Sequence, residues 1–90
     1  MSGERWGTEV YYLSELIEKI KEAYKDGEFP EELNGLVGTY IALMKEMYGV
    51  ADTMNYYVSG DYGEDTLREV MQQELDKIEK TIREYRREIE

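Results

Sequence analysis

Twenty-one Asp and Glu side chains are the groups in this sequence that could hold a cation or move a proton, and they stand beside no His and no Cys. That combination excludes most side-chain chemistry that works near neutral pH. A His general base, a Cys nucleophile, a disulfide and a Cys/His zinc site are all ruled out. The carboxylates alone offer little in their place. Asp61-Tyr62-Gly63-Glu64-Asp65 gathers acids as a calcium loop does. It lacks the alternating Asp-x-Asp-x-Asp-Gly spacing and the closing Glu. Helix capping by Asp61, with Glu64 three residues on, explains the cluster better. A carboxylate-bridged di-iron bundle needs Glu-x-x-His, and a glycosidase acid pair needs a cleft that three helices do not form. Ser2, Ser14 and Ser59 have no base nearby, and no Gly-rich phosphate loop is present. The chain therefore reads as non-enzymatic, with no catalytic residue, no metal and no cofactor.

Binding is the chemistry that remains. Nine Tyr accompany one Phe and one Trp. Tyrosine buries ring area while keeping its hydroxyl wet, which suits helix seams and interfaces. The neighbours Tyr11-Tyr12 and Tyr56-Tyr57 point about 100° apart on a helix, so one of each pair faces outward. Tyr12, Tyr56 and Tyr62 are thus expected to be exposed contact residues, together with Asp61, Glu64 and Asp65. Stacking of such rings on a small nucleotide is a further option. Its phosphates would have only Lys19, Lys45 and Arg68 nearby.

Charge narrows the class of partner. The 90 residues carry a net charge of −10, and 36% of them are charged. An acidic surface repels phosphate backbones and anionic membranes, so neither nucleic acid nor a bilayer is an expected partner. A basic protein is the electrostatic match. No apolar run approaches the roughly 18 residues of a membrane span. The first residues, Met1-Ser2-Gly3-Glu4-Arg5-Trp6, lack the pattern of a signal peptide. A cytoplasmic location is expected, in a cell or in the host of a virus.

These side chains must be positioned by helices, because no segment alternates apolar and polar residues as a strand does. One domain over residues 1–90 is expected, all-α, with three antiparallel helices near 8–25, 30–58 and 64–90. In the first, Thr8 is placed to cap and Val10, Leu13, Leu16, Ile17, Ile20, Ala23 and Tyr24 recur at helical spacing. Asp26-Gly27 ends it, with Gly27 suited to a left-handed C-terminal turn. The second opens at Pro30. It carries an unbroken heptad, Leu33, Val37, Tyr40, Met44, Met47, Ala51, Met54 and Val58, beside a second stripe of Leu36, Leu43, Val50 and Tyr57. A helix this apolar must be central, covered by both others or by another chain. Its glycines Gly35, Gly38 and Gly49 with Ala42 form a strip of small residues, read as close packing against a bulky side chain such as Tyr85. The third helix has a narrow coiled-coil seam, Met71, Leu75, Ile78, Ile82, Tyr85 and Ile89.

The apolar excess predicts a homodimer formed by Tyr40, Met44, Met47 and Met54 of the second helix with that seam. Arg83, Arg86 and Arg87 are expected near the acidic first loop, whereas the acids of the second turn are expected to stand unopposed. The function expected is a homo-oligomeric, acidic helical interaction module for a basic protein, in one form a small viral inhibitor or nucleic-acid mimic. A structural self-assembly or adaptor subunit is the alternative, and a nucleotide binder with tyrosine pockets between chains the third.

Overall fold

The computed structural model describes residues 5–89, and side chains as far as residue 88. Three α-helices, α1 (Gly7–Lys25), α2 (Asn34–Val58) and α3 (Glu64–Ile89), run up, down and up, with a 3-10 turn (Glu31–Leu33) before α2. The helical expectation holds, and the boundaries fall within a few residues of it. The largest difference is at the start of α2. Glu31–Leu33 close a tight turn from the Pro30 carbonyl before the α-helix begins at Asn34.

Both turns use a glycine in the left-handed region, Gly27 at φ +74° and Gly60 at φ +88°. Such a residue lets the next amides fold back onto the last helical carbonyls. The Glu28 N–H reaches the Ala23 carbonyl at 3.0 Å, and the Asp61 N–H reaches the Tyr56 carbonyl at 2.9 Å. Short reversals of this kind place sequential helices side by side.

α2 packs against α1 on one flank and α3 on the other, while α1 and α3 do not meet. The result is a single layer of helices measuring 45 × 26 × 10 Å. Its radius of gyration is 15.3 Å, against about 12 Å for a compact chain of this length. α2 is central, as expected. Its neighbours cover its flanks and leave a stripe between them open. The apolar side chains that are fully buried among the described residues are Val10, Ile17 and Ile41. All three lie at or beside the α1–α2 seam.

That seam is also pinned by polar groups. The Trp6 N–H donates to the Asn55 Oδ1 at 2.7 Å, and the Arg5 N–H to the Ser59 Oγ at 3.2 Å. Asn55 is 2% exposed. Trp6, not Thr8, occupies the position before α1, which has no side-chain cap at its start. Instead, the end of α2 holds the entering strand of chain in place. At α3, the Gly63 carbonyl accepts the first helical bond from Leu67, so Gly63 rather than Asp61 stands at the cap.

Candidate interaction surface

The helical period sorts α2 into four sides. Tyr40, Met47 and Met54 recur every seven residues and share one stripe. On the α3 flank, Met47 lines a groove of about 590 Å³ with Leu67, Met71, Leu75 and Ile78. Further along, Tyr40 lines another of about 470 Å³ with Ile82, Tyr85 and Arg86. On the α1 flank, Met54 borders Trp6, Val10 and Leu13. One stripe therefore borders grooves on both sides, and the three helices share one open apolar face. On the opposite face Ser14, Ile17, Glu18, Lys45 and Tyr48 surround a small hollow. Lys21 beside Lys45 pushes the Lys45 pKa down, because two ammonium groups at close range disfavour each other.

Six of the ten residues expected at a homodimer interface lie exposed along the open face: Tyr40, Met47, Met54, Met71, Leu75 and Ile82. Ile78 and Tyr85 are half-buried against α2, and Met44 is half-buried as well. The side chain of Ile89 lies outside the described residues. The α3 seam thus divides: part of it closes the α2–α3 contact, and part looks outward.

Of the residues expected to meet a protein partner, Asp61, Tyr62, Glu64 and Asp65 gather at the second turn. Tyr56 joins them, its ring centroid 5.1 Å from that of Tyr62. Tyr56 is half-buried rather than exposed. Tyr12 stands apart from this group. It lies about 200° around α1 from buried Val10, so it faces away from α2, and its ring neighbour is Tyr11 at 5.9 Å. Glu15 hydrogen-bonds the Tyr11 hydroxyl and raises its pKa.

The turn acids are not unopposed. Arg68 pairs with Glu64 at 2.9 Å and with Asp65 at 3.5 Å. The sequence carried this signal as an acid–base pair one turn apart. Conversely, no ion pair among the described residues joins Arg83, Arg86 or Arg87 to the first loop. The small-residue strip also divides between two neighbours. A Cβ at Gly38 would meet the Tyr24 hydroxyl at 3.1 Å, and one at Gly49 would meet the Glu74 carboxyl at 3.7 Å. Tyr24 of α1, not Tyr85 of α3, fills the space beside Gly38.

Two carboxyls meet in the α2–α3 seam, a contact sequence reasoning missed. The Glu46 carboxyl lies against that of Glu74, whose hydrogen bond raises the Glu46 pKa, with burial and the neighbouring charge adding to it. The same hydrogen bond holds the Glu74 pKa down, aided by Lys77 at 3.3 Å. Glu74 Oε2 is buried and has no hydrogen-bond partner among the described residues. Neither Glu46 nor Glu74 lines the grooves on that seam.

Among the described residues, no group of three or more Asp and Glu is arranged to hold a metal ion, and no helix is long and apolar enough to cross a membrane. No protein-family model, no curated protein and no solved structure matches this chain.

Proposed function

We propose that the chain is a non-enzymatic protein-interaction module that works as an oligomer, burying its apolar face in assembly and displaying an acidic surface to a basic protein. One observation supports this reading above the others. Three helices lie in one layer, and exposed apolar side chains from all three line the same face. Stable domains close such a face with a second layer. A face left open on this scale marks a protein contact.

Acidity supports the second half of the reading. The turn at Asp61-Tyr62-Gly63-Glu64-Asp65 lies at one edge of the layer, and Tyr62 is exposed there beside Tyr56. Aromatic rings among carboxylates suit a partner rich in Lys and Arg.

Sedimentation equilibrium tests the assembly. The expected result is a mass above that of one chain, and a monomer at every concentration overturns the reading. A lysine-rich peptide tests the acidic edge. Its affinity is expected to fall with added salt. Neutralising Asp61, Glu64 and Asp65 to amides should weaken it more than neutralising Glu28, Glu31 and Glu32.

A further inference from the structure

We infer that the open face is covered by a second copy of this chain, stacked antiparallel about a twofold axis that runs through Leu16, Met47 and Leu75. The inference rests on the oligomeric reading above and specifies its geometry.

Register comes first. The Tyr24 hydroxyl reaches Gly38 across one seam, and the Glu74 carboxyl reaches Gly49 across the other, which sets the approximate register. Counting along the antiparallel helices brings Leu16 level with Glu46 and Leu75 level with Tyr48. Both are one residue from Met47, about 1.5 Å along the axis. The three therefore form a row straight across the layer. All belong to the open face. Met47 and Leu75 share a groove there. Leu16 stands two residues from both Ser14 and Glu18, which border the opposite hollow, so it points about 160° away from them. Leu16, Met47 and Leu75 are 54%, 55% and 48% exposed, large values for apolar side chains.

Area and charge then select the occupant. The layer measures 45 by 26 Å, about 1,200 Å² of face where a standard dimer buries about 800 Å² per partner. A copy stacked on it would sit about 8–10 Å away and turn one layer into an ordinary two-layer helical fold. α3 has an acidic first turn, Glu64 and Asp65, and a basic last turn, Arg86 and Arg87. A twofold axis across the helices lays each helix on its own copy, reversed. Met47 then meets Met47, Leu75 meets Leu75, and Tyr40 meets Met54. Eleven residues either side of Leu75, Arg86 meets Glu64. The two ends of α3 are thereby each other's complement, and so are the two helix dipoles.

Because the chain has no Cys, single cysteines read this arrangement directly. Leu75→Cys and Met47→Cys are each expected to form a disulfide-linked dimer under mild oxidation. Tyr40→Cys alone should not, but mixing it with Met54→Cys should give a linked pair. Sedimentation of the unsubstituted chain runs alongside. Self-linking by Tyr40→Cys without Leu75→Cys means parallel stacking, and overturns the geometry while the oligomer stands. A dimeric mass with none of these positions linking places the contact elsewhere and also overturns it. A monomeric mass removes both the geometry and the oligomeric reading. Arg86→Glu should raise the dissociation constant roughly tenfold, the sum of two exposed pairs per dimer, and Glu64→Arg should recover most of the loss. An unchanged dissociation constant for Arg86→Glu counts against the reversed stacking.

Discussion

The two seams that α2 makes are built differently. Towards α1 the seam buries Ile41, Ile17 and Val10 at points along its length, and the Asn55 amide fixes the start of the first helix. Towards α3 it offers a pair of carboxyls, two open grooves and half-buried side chains. No side chain described on α3 is buried. The contrast teaches that contact along a helix and burial are separate quantities. α3 lies alongside α2 for its length, yet little of that contact is closed to water. The α1–α2 pair is held by the monomer's own interior. The third helix has no comparable interior of its own.

The largest expected effect breaks the stronger seam. Ile17→Ala should cost about 3 kcal/mol, the usual loss for a buried aliphatic side chain. Ile78→Ala in the weaker seam should cost about half as much. Thermal unfolding followed by circular dichroism measures both, and equal losses would erase the distinction. Next comes Asn55→Ala, which leaves the Trp6 N–H without its acceptor. About 2 kcal/mol is expected, with faster hydrogen exchange at the first amides of α1.

Glu46→Gln sharpens the comparison from the other side. The fold favours the acid form of Glu46, so that contribution is present at low pH and is lost as the pH climbs through its raised pKa. Glu74, held low by its neighbours, contributes in the opposite sense, and its share disappears only when the pH falls through its lowered value. Glutamine keeps the hydrogen bond to Glu74 without the second charge. The variant should melt at a higher temperature than the parent at neutral pH, and the gain should shrink on acidification. Equal gains at both pH values would show that repulsion between the two carboxylates is not what the glutamine relieves. The smallest effects belong to open positions. Gly35 has no atom within 4 Å of a new Cβ. Gly35→Ala should stabilise by about 0.5 kcal/mol, and Tyr12→Ala on the outer side of α1 should stay within about 0.5 kcal/mol of the parent.

Much of this was legible from one-dimensional pattern. The periods of α1, α2 and α3 announced the helices, Gly27 announced the first turn, and the crowded apolar surface of α2 announced its central place. Pattern says which residues share a side of a helix. It does not say how neighbouring helices are arranged around that side. A closed bundle and a flat layer draw on the same stripes, so the failure of α1 to meet α3 left no mark in the sequence. Gly38 was assigned the wrong tyrosine because both flanks of α2 offer one. Asn55 reads alike whether it faces water or a neighbouring chain end. Glu46 and Glu74 sit on different helices, and only the register brings their carboxyls together. Where the signal was local, as for Glu64 and Arg68 one turn apart, it was present and simply outweighed by counting charges.

The position of Trp6 has a practical consequence. It is the one tryptophan in the chain, and it stands at the border of the open face beside Met54 and Leu13, with the Arg5 guanidinium 5.8 Å from its ring. Trp6 is 41% exposed. Fluorescence excited selectively at this ring therefore carries a label-free optical signal from the rim of the surface in question. Emission that shifts to the blue as the protein is concentrated would report water leaving that rim. The same signal in a stopped-flow mixer would give the rate at which it leaves.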